Sequence, residues 1–127
     1  MTQEEKELLT KDVFARALTG LKVDYKGETF TLGYNLYLED GNIAFESYPM
    51  KFYLEDIETI KPYLRPMSSM TDKEQTEWHN TTLGQRWITE NNIERCVDWL
   101  NSHHFDYRGL IEKGLALEAP KDIYKTE

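Results

Sequence analysis

The stretch from Phe30 to Leu38 limits what this chain can become more than any other. Phe30, Leu32, Tyr34, Leu36 and Leu38 stand at every second position, with Thr31, Gly33, Asn35 and Tyr37 between them. Side chains of an extended strand point alternately to opposite faces, so this period of two gives one apolar and one more polar face. Asp40-Gly41 follows, a pair that supplies the positive φ angles of a two-residue hairpin turn. Ile43, Phe45 and Ser47 alternate on the return, Pro49 closes it, and residues 51–54 offer a further short strand. Upstream, Leu21, Val23 and Tyr25 alternate ahead of a Lys26-Gly27 turn. The expectation is an antiparallel meander of three to four strands. Gly33 inside the best strand marks a bend or bulge, which would suit a curled sheet or partial SH3-like barrel. A sheet this small is not stable alone, so helices must cover it.

Those helices are signalled at both ends of the chain. Thr2 and Glu5 form a Thr-x-x-Glu capping box, with Glu4 and Glu5 in the first turn where the helix dipole favours acids. Leu8, Leu9, Val13, Ala17 and Leu18 then give a helical stripe that stops before Gly20, which predicts a helix over 3–18. Thr71 and Glu74 form a second capping box that opens a short polar helix toward Trp78 or Asn80. Thr89 is the natural cap of the longest helical pattern, in which Ile93, Cys96, Val97, Leu100 and His104 share one stripe. Asp106 caps a short helix over 107–113, which Gly114 ends. Between meander and helices, Pro62 and Pro66 bias Lys61 and Arg65 toward extended geometry. Residues 56–66 are therefore read as a surface strap pinned by Tyr63 and Leu64, with Lys61 and Arg65 outward. The fold class is α+β: an N-terminal helix, the meander, and C-terminal helices packed on the sheet. One domain covers 1–120, and 121–127 is a loosely ordered polar tail.

Composition bounds the function. A chain of 127 residues with 39% hydrophobic residues can bury a core. The net charge of -8 disfavours a nucleic-acid partner, because that affinity comes largely from Lys and Arg displacing counterions. Acids concentrate from Leu38 to Ile60, where Glu39, Asp40, Glu46, Glu55, Asp56 and Glu58 face one base, Lys51. That stretch reads as a solvated face, or as a surface for a basic partner. Cys96 is the only cysteine, so no intrachain disulfide forms, and no apolar run approaches the length of a membrane span. A cytoplasmic setting without membrane attachment follows as an expectation.

Reactive side chains gather from Asp98 to Leu110. His103 and His104 are adjacent, so on a helix they would diverge by about 100° rather than share a face. Two helical metal ligands favour a spacing of three or four, and no metal or cofactor is assigned. A His/Asp proton relay from His103, His104 and Asp106 has the right residue types, but no activated nucleophile accompanies it: Ser102 sits in no elbow motif and Cys96 lies on the apolar stripe. Trp, Tyr and Arg dominate the energetic centres of protein interfaces, and Trp99, Tyr107 and Arg108 bring all three together. The candidate interaction residues are His103, Asp106, Tyr107 and Arg108, with Tyr63 and Arg65 on the strap.

Three segments resemble a family of short proteins from Bacteroides-type gut bacteria and their phages and mobile elements. They are LLTKDVFAR at 8–16 followed by VDYKG at 23–27, IKPYLRPMSSMT at 60–71, and WLNSHHFDYRGLIEKGLALEAP at 99–120. Together they cover somewhat under half the chain. Where that family carries a Leu-Pro-Tyr-Gly turn after the first helix, this chain has Ala17-Leu18-Thr19-Gly20. The family has no established activity, so the resemblance implies a small, intracellular, often phage-borne setting and no catalytic residue.

The leading expectation is a non-enzymatic protein–protein interaction or regulatory module with a protein partner. The alternative is a metal-dependent or His/Asp hydrolase acting on a nucleotide or similar small substrate. A third reading, nucleic-acid binding, would use Lys11, Arg16, Lys61 and Arg65.

Overall fold

The computed structural model of the chain describes residues 1–16, 19–32, 36–39, 42–47, 50–82, 90 and 92–124. It is α+β, as expected. Helix α1 spans Gln3–Arg16, and Ala17 and Leu18 at its expected end lie outside the described residues. Its capping box is made in both directions: the Glu5 N–H donates to Thr2 Oγ1 at 3.1 Å and the Thr2 N–H to Glu5 Oε1 at 2.9 Å. Strands β1 (Lys22–Tyr25) and β2 (Glu28–Thr31) form a hairpin. Lys26 at φ 52° and Gly27 at φ 83° supply the two left-handed residues of its tight turn.

The alternation that opened the sequence does not make one strand. Leu32 leaves β2 and is buried in the core, with its N–H donating to Leu21 O. Strand β3 (Leu36–Glu39) then pairs with β4 (Asn42–Ser47), and β4 with β5 (Met50–Tyr53), as a separate three-stranded antiparallel meander. Glu39 and Asn42 are partners in the β3–β4 register. Asp40-Gly41, Gly33 and Pro49 lie outside the described residues.

The strap over 56–66 is the largest correction. A 3-10 helix over Leu54–Thr59 leads into strand β6, Ile60–Leu64. This strand runs through the middle of a second sheet, with strand order β2-β1-β6-β7, where β7 is Leu117–Glu118. β1 and β6 are antiparallel, whereas β6 and β7 are parallel. The sheet is open, with β2 and β7 at its edges, so the curled SH3-like closure is not adopted.

Pro62 is tolerated in this inner strand for a geometric reason. The Tyr63 carbonyl is aimed at the β1 side and the Leu64 carbonyl accepts from Ala119 on the β7 side. By alternation, the missing N–H of Pro62 faces β7, which begins only opposite Tyr63.

The core is built by α1 and the four-stranded sheet. Leu9 and Val13 from the helix meet Leu21, Val23, Ile60 and Leu64 from the strands, closed by Ile57 and by Leu110, Leu115 and Ala116. The buried side of α1 also carries two charged residues, Asp12 and Arg16, which alternate at helical spacing with Leu9 and Val13. Apolar periodicity alone therefore missed half of that face.

Helices α2 (Asp72–Thr81) and α3 (Ile93–Ser102) pack on one another. The Thr71/Glu74 capping box is made as expected. α3 starts at Ile93, and Thr89, its expected cap, is outside the described residues. Cys96 and Leu100 are buried, but Ile93 is 49% exposed, and His104 has already left the helix. The short helix over 107–113 is reduced to a single turn. Asp106 still caps it, its carboxylate accepting from the Leu110 and Ile111 N–H groups at 2.9 Å each. Gly114 still ends it at φ 76°. Of the expected tail over 121–127, residues 125–127 lie outside the described residues, while Tyr124 is docked by its hydroxyl and ring, which polarity alone could not reveal.

Candidate functional site

The site grows from the end of α3. Phe105 donates its N–H to Leu100 O and His104 to Asn101 O, the paired bonds of a Schellman cap. The residue at the cap's left-handed position is His104, at φ 63°. Glycine usually stands there, since a side chain at positive φ crowds the carbonyl. Leu110, Ile111, Gly114 and Leu115 repeat the same two bonds with glycine in that place. His104 is thus a non-glycine residue where glycine would be easier, and its ring is held for other reasons.

β6 stitches the corner to the sheet. Arg65 donates its N–H to His104 O and accepts from the Asp106 N–H, both at 2.8 Å. Its guanidinium makes a two-pronged pair with Glu74, 2.6 Å on each arm, and lies 4.3 Å from the centre of the Phe105 ring. This pairing holds the Glu74 carboxyl well down, at about 2. Arg65 is only 8% exposed, so its expected outward position is corrected: a carboxylate three residues into α2 draws it in.

On the other side of Phe105, Arg16 is wholly buried. It pairs through two nitrogens with Asp12 (3.0 and 3.1 Å) and donates to Phe105 O at 2.6 Å. Arg108 adds a second cation on Asp12 at 2.7 Å. Both guanidiniums stand over the Tyr107 ring, at 5.2 and 4.6 Å, and the Tyr107 hydroxyl donates to Asn101 Oδ1. Arg16 and Arg65 are therefore taken up inside the protein, and of the four bases once considered for nucleic acid only Lys11 and Lys61 are exposed.

The candidate interaction residues are thus brought to one corner, but largely turned to each other. Asp106 caps a turn, Tyr107 and Arg108 lie in the Asp12 network, and Arg65 holds Glu74. Tyr63 is half-buried, on the strand that Tyr124 meets. His103 remains at an accessible edge. It stacks on Trp99 with ring centres 4.1 Å apart, and its Nε2 is 3.6 Å from Glu77 Oε2.

Ser102, His103 and Glu77 together have the residue types of a nucleophile, base and orienter. Their hydrogen bonds decide otherwise. His103 Nδ1 lies 2.9 Å from Trp99 O and 3.3 Å from Ser102 Oγ. A carbonyl only accepts, so Nδ1 carries the proton and cannot take one from the serine. Ser102 Oγ in turn donates to the same carbonyl at 3.0 Å. This is helix-end hydrogen bonding, without an activated hydroxyl.

Beside this corner opens a cleft of about 460 Å³, bordered by Lys22, Arg65, Glu77, His103, His104 and Tyr124. His104 is 7% exposed, and its ring stacks on Tyr124 at 3.7 Å and 15°. Among the described residues its Nδ1 has no hydrogen-bond partner. Burial, and then the positive charges of Arg16, His103, Arg65 and Lys22, push its pKa down to about 3, so the ring is neutral near neutral pH. Burial raises the Tyr124 hydroxyl, which stays protonated. Among the described residues, no three His, Cys, Asp or Glu side chains converge as a metal site needs.

Sequence reasoning missed Asp12, Glu74 as an ion-pair partner, Glu77, Lys22 and Tyr124. One signal was available: Tyr124 is a lone aromatic in a polar tail, where an exposed ring would gain nothing. No protein-family model matches the chain, no curated protein matches it, and no solved structure matches it. Among the described residues, no helix is long and apolar enough to cross a membrane.

Proposed function

We propose that the protein is a non-catalytic interaction or regulatory module that receives a protein partner at the cleft between α2, the end of α3 and the C-terminal segment. One observation carries this reading. The reactive groups of the corner are engaged in holding it together, while an open cleft stands beside them with Glu77, His103 and Lys22 at its border. The Trp99 and His103 stack beside it offers the aromatic surface that protein partners favour. With a net charge of -8 the partner is expected to be basic, and its association rate should fall as salt rises.

The test is recovery of a partner by the wild-type chain and by a Glu77→Lys, His103→Ala double variant whose unfolding midpoint is unchanged. Both positions are partly exposed, so folding should survive. Recovery lost in the variant supports the cleft; recovery equal in both overturns it. Turnover of a nucleotide by the wild type, abolished by His103→Ala, would replace this reading with the hydrolase.

A further inference from the structure

The C-terminal segment meets the sheet at the place where its ladder opens. β1 and β6 are paired as far as Val23 opposite Pro62. The register ends there, one pair short of Lys22 opposite Tyr63. Between the Lys22 N–H and the Tyr63 carbonyl stands the Tyr124 hydroxyl, which accepts from the Lys22 N–H at 2.8 Å and donates to Tyr63 O at 2.8 Å. The ring behind that hydroxyl lies flat on His104. The result is a slot with a flat aromatic floor, one N–H donor and one carbonyl acceptor at its inner end.

The strap that delivers Tyr124 has few other holds. Ala119 donates to Leu64 O, and beyond it the Ile123 N–H turns back onto Pro120 O. Asp122 sits in the left-handed region at φ 72°, where a non-glycine residue is strained. Among the described residues, no other hydrogen bond or ring contact ties 120–124 to the body. The strap also separates two clefts of about 460 and 450 Å³, both bordered by Arg65, Ile123 and Tyr124. Among the described residues, its polar and ring contacts to the body beyond Ala119 run through Tyr124.

We propose that the slot between β1 and β6, floored by His104, is a recognition site for an unmodified tyrosine on a partner's extended segment, and that the chain's own strap fills it in cis. This rests on the reading of the neighbouring cleft as a partner site and names the chemistry of its anchor. Tyrosine is selected over phenylalanine because an apolar ring would leave the Lys22 N–H and Tyr63 carbonyl without partners. Phosphotyrosine is rejected because its ester oxygen has no proton to give to Tyr63 O. It would also place negative charge against two carbonyls, since Lys22 O is 3.3 Å from the same hydroxyl. The tethered strap competes at high effective concentration. A partner therefore has to supply contacts in the flanking clefts as well as the ring.

The test uses the full chain with Tyr124→Ala and, in trans, the peptide PKDIYKTE, which reproduces residues 120–127. The peptide should bind saturably, raise the unfolding midpoint of the variant, and return the His104 ring signals to their wild-type positions. Phenylalanine in place of its tyrosine should weaken binding roughly tenfold, and alanine or phosphotyrosine should abolish it. A phosphopeptide that binds as well as the parent overturns the proposal. If Tyr124→Ala does not fold, Tyr124→Phe serves instead: it keeps the ring and should speed hydrogen exchange of the Lys22 amide at least roughly tenfold. Unchanged exchange there overturns the proposal. Failure of the function reading is separable, because it would abolish partner recovery and leave peptide binding to Tyr124→Ala intact.

Discussion

Two arginines hold the same corner from opposite sides, and they are built differently. Arg16 and Asp12 are both fully buried, with Arg108 as a second cation on one carboxylate and with Arg16 Nη1 lacking a partner among the described residues. Arg65 and Glu74 keep side-chain exposures of 10% and 5%, and both border the cleft. Each arginine also touches Phe105, Arg16 through the backbone carbonyl and Arg65 through the ring face. The first pair is sealed in with an excess of positive charge. The second is matched one to one and stands at the edge of open space. The difference separates a device that only secures the fold from one that also shapes a site.

The largest effect should come from the sealed side. Asp12→Asn leaves two cations facing a neutral amide, and stability should fall by about 3–5 kcal/mol, read from the urea midpoint. A smaller loss than that of the Glu74 variant would invert the comparison. On the cleft side, Glu74→Ala removes a carboxylate that is paired and caps α2, yet water can reach Arg65. The expected loss is about 2–3 kcal/mol, measured the same way.

The third test is pH. The folded pKa of His104, about 3, lies below its ordinary value of 6.5, so the unfolded chain binds the extra proton between those values. Stability should therefore drop as pH falls through that window, by up to about 1.4 kcal/mol per unit. His104→Asn, which tolerates the left-handed position, should flatten the slope in unfolding curves at pH 7.5 and 5.5. Glu74 contributes in the same direction but lower, losing its stabilisation as pH falls from 4.5 toward 2. The smallest effect should be Arg108→Ala. Its side chain is 18% exposed and Asp12 keeps Arg16, so about 1 kcal/mol is expected from thermal unfolding.

Local signals were the legible part of the sequence. Both Thr-x-x-Glu boxes, the Lys26-Gly27 turn and the Asp106 cap depend on residues within five positions of one another, and each is made. Long-range partners were not legible. Arg65 reads as a solvent cation until Glu74 is placed beside it, and Asp12 and Arg16 read as an exposed helix face until the corner closes on them. Residues 60–64 read as a strap because two prolines mark them, and nothing nearby reveals that β1 lies alongside. The same limit hid Tyr124, whose partners Lys22 and Tyr63 are remote in the chain. His103, Asp106, Tyr107 and Arg108 are neighbours in sequence, but the pairing of Arg108 with Asp12 and the approach of Arg65 to Phe105 depend on remote residues.

Pro62 carries a further consequence. An exposed strand edge invites another chain to pair with it, and long uninterrupted edges are templates for aggregation. Where β7 has not yet begun, the β7 side of β6 lacks the N–H donor that a pairing strand would need. A second molecule arriving there finds no ladder to extend. Pro62 thus withholds that donor from any strand pairing there, and changing it to a β-former while following self-association puts the consequence to the test.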